Sequence, residues 1–96
     1  MPRHLFTVES VCTITGRGVM ALPGLSENEY RTVRVGEPLE LRRPDGSVLR
    51  TQVRGIEYPP SLKHIGPRPA IVYCGILLGA ELAPIDVPSG TEVWVV

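Results

Sequence analysis

The stretch Leu39-Glu40-Leu41-Arg42-Arg43-Pro44-Asp45-Gly46-Ser47-Val48-Leu49-Arg50-Thr51-Gln52-Val53 decides the fold class. Leu39 and Leu41 alternate with Glu40 and Arg42, and Leu49, Thr51 and Val53 alternate with Arg50, Gln52 and Arg54. A period of two belongs to a half-buried strand, whose successive side chains point to opposite faces. Between the two halves lies a turn with a mechanism: proline presets φ, aspartate caps through its side chain, and glycine accepts φ > 0. The register follows, because a slip of one residue would turn a strand inside out. Leu41 should face Leu49 and Glu40 should face Arg50, with Pro44-Asp45-Gly46 as the connecting loop.

On the C-terminal side, Gly55 breaks the phase and moves Ile56 to the even set, which predicts a bulge or bend. Residues 58–69 carry four prolines and read as a long irregular surface loop. Residues 70–78 are almost continuously apolar, as in a strand covered on both faces. Residues 83–90 form a turn region and residues 91–96 a terminal strand. Towards the N-terminus, Phe6, Val8, Ser10, Cys12 and Ile14 alternate with Thr7, Glu9, Val11 and Thr13, a strand pattern ended by Thr15-Gly16-Arg17-Gly18. A short strand over 19–22 stops at Pro23-Gly24, residues 25–29 form a polar loop, and residues 30–35 read as a further strand closed by Gly36. No segment has the period of an amphipathic helix. The pattern predicts one all-β domain over residues 1–96, a closed or partly open antiparallel β-barrel of six to seven strands.

Composition bounds the function. The 96 residues hold ten Lys+Arg against ten Asp+Glu, which lacks the strongly basic footprint of an autonomous nucleic-acid binder but leaves room for a local patch. Hydrophobic residues at 43% argue against disorder, and ten glycines with ten prolines argue for many turns. Cys12 and Cys74 make neither a disulfide framework nor a CxxC, and no apolar run is long enough to span a bilayer. The expectation is a cytoplasmic protein with reduced thiols and no membrane partner.

Catalytic motifs are missing. Gly16-Arg17-Gly18-Val19-Met20-Ala21 matches GxGxxA in letters, but Leu22-Pro23-Gly24 follows where a dinucleotide site needs a helix N-terminus. Lys63, the sole lysine, is followed by His64, and with no GxxxxGK[ST] there is no P-loop, so GTP is not expected as a partner. His4, Cys12, His64 and Cys74 are scattered rather than clustered as zinc ligands. No serine lies in a GxSxG, and the acids read as solvated loop charges. The expectation is a protein with no enzymatic activity, no metal and no cofactor. One basic feature stands out: Arg42, Arg50 and Arg54 fall on the polar face of the hairpin. They suit either cross-strand pairing with Glu40 or weak, salt-sensitive contact with an RNA backbone or a partner.

In order, the segments resemble the second domain of elongation factor Tu and related translation-factor GTPases. The likeness is carried by Val11-Cys12-Thr13-Ile14-Thr15-Gly16-Arg17-Gly18 against V-x-x-I-x-G-R-G, and by Val35-Gly36-Glu37-Pro38-Leu39-Glu40-Leu41 against V-G-E-E-V-E-I. Val53-Arg54-Gly55-Ile56-Glu57 is similar to V-T-G-V-E, and Gly75-Ile76-Leu77-Leu78-Gly79 to V-G-V-L-L-R-G. The resemblance implies a translation-factor β-barrel without the GTPase domain, and a role in recognising the 3′ end of tRNA or another RNA. It places the RNA pocket at Ile14, Gly16, Met20, Glu57 and Leu77: apolar walls for a base, a glycine admitting close backbone approach, and a carboxylate for ribose or ring edge. The chain departs from the family where Tyr58-Pro59-Pro60 replaces a basic segment, and where Gly79 replaces the arginine after Leu77-Leu78.

Two functions fit the residues. One is a non-catalytic, translation-related module that binds an RNA end weakly. The other is a protein-interaction module that uses the 58–69 loop or an exposed strand edge. Either requires an all-β chain, so far-UV circular dichroism should give a single strand minimum with negligible helical signal.

Overall fold

The hairpin forms as its turn chemistry requires. A computed structural model of the chain describes residues 2–26, 29, 32–57 and 73–96. Leu41 pairs with Leu49 and Glu40 with Arg50. The loop closes through Arg43 N–H to Ser47 O at 2.8 Å and Gly46 N–H to Arg43 O at 2.9 Å, with Gly46 at φ +89°. The hydroxyl of Ser47 and, next, its backbone N–H donate to the Asp45 carboxylate and hold that carboxyl below its usual pKa. Leu39 and Leu41 are fully buried, Val53 is buried, and Leu49 packs against the same core.

Among the described residues the chain forms eight strands: β1 (Arg3–Thr7), β2 (Ser10–Ile14), β3 (Gly18–Ser26), β4 (Pro38–Arg42), β5 (Val48–Gln52), β6 (Gly55–Glu57), β7 (Tyr73–Leu77) and β8 (Glu92–Val95). A 3₁₀ turn, Pro84–Asp86, lies between β7 and β8. All pairings are antiparallel, in two four-stranded sheets ordered β1-β8-β4-β5 and β2-β3-β7-β6. One apolar core draws on both, with Leu39, Leu41 and Val93 from the first and Ala21, Leu25 and Ile76 from the second.

The chain passes between the sheets at two corners. Val8 N–H donates to Thr91 O and the next amide, Glu9 N–H, donates to Leu22 O, each at 2.8 Å. At the other corner Val53 N–H reaches Glu37 O at 2.9 Å and Arg54 N–H reaches Leu77 O at 2.8 Å. The bend expected at Gly55 is this second corner. Because partners change within one residue at each corner, the hydrogen-bonded ladders form two sheets, and no closed barrel ladder exists among the described residues. The all-β class holds at that level, with eight strands among the described residues where six to seven were expected, because the corners divide the chain into more, shorter strands.

Three other expectations are corrected. The 6–14 pattern is not one strand with an even face: Val8 is buried in the core, whereas Ser10 and Cys12 are exposed and Val11 packs inward. The Val8–Glu9 corner reverses the phase. Residues 19–22 do not stop at Pro23-Gly24, since β3 runs on to Ser26 through a register shift between Ala21 and Leu25, and Leu25 is core rather than loop. Residues 32–35 carry no strand; Val33 is buried while Val35 is 67% exposed, and Glu37 N–H closes a turn on Arg34 O. The remainder of that expected strand, and the 58–69 loop, lie outside the described residues. No helix among the described residues is long and apolar enough to cross a membrane.

Gly24 sits at φ +87°, where a Cβ would collide with the Cys74 carbonyl on the neighbouring strand. Gly46 has a similar φ but open space around it. Gly24→Ala should therefore cost roughly 3 kcal/mol or more, combining strain and overpacking, against roughly 1–2 kcal/mol for Gly46→Ala. Urea midpoints at unchanged m-value measure the difference.

Candidate functional site

The β2–β3 hairpin turn carries the site. Ile14 pairs with Gly18, and Arg17 N–H donates to Ile14 O at 2.9 Å across a turn that contains Gly16. The turn aims the Arg17 side chain at β6, where the Glu57 carboxylate pairs with its guanidinium. Arg54 is the second residue of the second corner, and its Nη1 donates to the Arg17 carbonyl at 2.8 Å. Across from the turn lies the segment after β7, residues 80–84. The space between is an open cleft of about 450 Å³, lined by residues 13–19, Arg54, Ala80, Leu82, Ala83 and Pro84. That is large enough for a nucleotide-sized group.

The far wall is tethered. Gly79 N–H donates to Thr51 Oγ1 at 3.2 Å, and the Thr51 hydroxyl donates to Glu81 Oε1 at 2.9 Å. The Glu81 carboxylate occupies the space a Cβ on Gly79 would need. Asp86 accepts from Ala83 N–H at 2.8 Å, closing the 3₁₀ turn. The inner face of β5 therefore holds the cleft's outer wall.

The five expected pocket residues are only partly brought together. Ile14 and Gly16 line the cleft. Met20, Leu77 and Glu57 share one face of the second sheet through the pairs Met20–Leu77, Gly55–Leu77 and Gly75–Glu57. Met20 and Leu77 are 3% and 2% exposed, and Met20 Sδ lies 2.6 Å from where a Cβ on Gly75 would stand. They are packed residues rather than an open wall, and Glu57 is engaged by Arg17.

The three hairpin arginines also separate. Arg42 bonds Glu40 Oε1 at 2.8 Å and lies 3.9 Å over the Trp94 ring, which packs edge-to-face with His4 at a centroid separation of 5.3 Å. Arg50 stands 3.8 Å from Glu40 and is 80% exposed, a contact worth less than about 1 kcal/mol. Arg54 is not with them, because the corner carries it to the cleft. Arg17, which belonged only to a motif in the sequence, is the cation that joins it there; its position in a turn between two glycines is the signal that marks it.

The cleft is lined by Arg17 and Arg54, by Thr13 and Thr15, and by the apolar residues Ile14, Leu82 and Pro84. This donor set suits an anion with an apolar attachment. Cys12 is exposed and Cys74 is buried, and no group of three or more His, Cys, Asp or Glu among the described residues could hold a metal ion. No family model, curated protein or solved structure matches the chain.

Thr51→Val should leave the buried Gly79 amide without its acceptor, costing about 1–3 kcal/mol and accelerating Gly79 amide exchange, while Thr51→Ser stays near the parent. Hydrogen exchange followed by NMR, with urea unfolding alongside, measures both.

Proposed function

We propose that the chain is a non-catalytic binding module of the translation-factor second-domain type, and that the cleft beside the β2–β3 turn receives a phosphate-bearing RNA end. In this reading the two sheets and their corners together are the translation-factor barrel. The observation that carries the reading is the convergence of Arg17 and Arg54 on one cleft of nucleotide size. Arg54 donates to a carbonyl and has no carboxylate partner among the described residues, so its remaining N–H groups are available to a phosphate. Ile14, Leu82 and Pro84 supply apolar surface for a sugar or base edge. The resemblance to the elongation factor Tu second domain supports an RNA end as the source of the phosphate, and the neutral overall charge makes the affinity low and salt-sensitive.

Fluorescence anisotropy with a labelled CCA-ended oligoribonucleotide tests this. Saturable binding should appear at low salt, with log K falling against log salt at a slope of about −1.4, for two phosphate contacts. Arg54→Glu should weaken it by roughly tenfold or more, through loss of a charge-assisted contact and added repulsion. Absence of saturable binding at low salt, or an unchanged Arg54→Glu variant, would sink the RNA reading. A stoichiometric protein partner that survives nuclease treatment would replace it with the protein-interaction reading.

A further inference from the structure

Arg17 lines the cleft, yet its guanidinium is already occupied by Glu57. The two partners are unequally placed. The Arg17 side chain is 53% exposed at the tip of a turn, whereas Glu57 is 24% exposed on a paired strand, opposite Gly75. Arg17 is therefore the partner free to move. A guanidinium presents the same fork of N–H donors to a carboxylate and to a phosphate, so the two anions compete for it. Arg54 lies beside it, bonded to the Arg17 carbonyl, and a phosphate placed between them can draw on both.

We propose that Glu57 is an internal competitor: it holds Arg17 in the free protein, and the phosphate of the bound RNA takes Arg17 from it. The cleft binds by exchanging one anion for another. This rests on the RNA reading above and departs from the role the resemblance implies for Glu57. A carboxylate that touches ribose or base adds to affinity, whereas a competitor subtracts from it. The sign of a single substitution therefore separates the two. The displaced Glu57 keeps a quarter of its side-chain surface in water, which limits the desolvation cost of leaving it unpaired.

The experiment compares Glu57→Gln with the parent by anisotropy on the same CCA-ended oligoribonucleotide at low salt. Glu57→Gln should bind roughly three- to fivefold tighter, the scale of a partly exposed ion pair. Glu9→Gln makes the same charge change just before β2, five residues and about 17 Å of strand from Ile14 at the cleft, and should leave affinity within about twofold. Arg17→Met in the Glu57→Gln background should cancel the gain. Weaker binding by Glu57→Gln would overturn the competitor role while leaving the RNA reading intact. An equal gain in Glu9→Gln would overturn it too, as a plain charge effect. No binding by either protein removes the RNA reading and this inference together. Should Glu57→Gln fail to fold, the parent still decides. Titrating RNA must move the Arg17 guanidinium and Glu57 carboxyl resonances together, and a shift of Arg17 alone overturns the exchange.

Discussion

Two pairs of consecutive amides hold this protein in shape. Val8 and Glu9 send their N–H groups to opposite sheets, and so do Val53 and Arg54. Each valine is 1% exposed, so each corner couples a buried apolar side chain to a backbone group that must find an acceptor. A buried amide left unpaired costs about 1–3 kcal/mol, and each corner commits two. The relative placement of the sheets is thus set by hydrogen bonds that belong to neither ladder alone. The cleft inherits this: Arg54 is fixed because its own N–H is one of the corner donors, on Leu77 O, and its side chain then meets the turn that β3 anchors.

Local chemistry was legible wherever turn residues and side-chain parity agreed. Leu39, Leu41, Leu49 and Val53 on one face, joined across Pro44-Asp45-Gly46, admit one register, and that register forms. Where parity runs through a corner the same logic misleads. Phe6 and Val8 continue into Ser10 and Cys12 with unbroken alternation, yet the corner between them exchanges inside for outside. Pro23-Gly24 carries a stop signal in its letters, but Gly24 there admits close approach of the Cys74 backbone, and the strand continues. Val33 and Val35 look like strand residues and form a turn, because Val33 alone is captured by the core.

The site was legible in part for a related reason. Ile14 and Gly16 flank the cleft, but Met20 and Leu77 carry the same apolar character whether they wall a ligand or fill a layer. The choice depends on Gly75, whose missing Cβ lets Met20 fold down on the sheet, a fact of pairing between distant strands. Arg54 has the parity of Arg42 and Arg50, and only the corner sorts it away from them. The wall at residues 80–84 had no signal, because its hold on β5 is made by Thr51 and Glu81, which are thirty residues apart in sequence.

Charge is handled by internal pairing. Among the described residues Arg42 and Arg50 share Glu40, and Arg17 takes Glu57, so three cations of a chain with no net charge are paired with carboxylates before any partner arrives. Long-range steering of an anion needs a field that such a surface does not project. In the proposed binding mode, recognition has to come from short-range geometry instead. A guanidinium fork turns from a carboxylate to a phosphate without a change in the number of charges paired, so little Coulomb energy is gained or lost and the geometry of the acceptor decides. Arg54, held by a carbonyl rather than a carboxylate, is the place where such an exchange can begin, since an incoming phosphate meets a positive charge there before it has to displace anything.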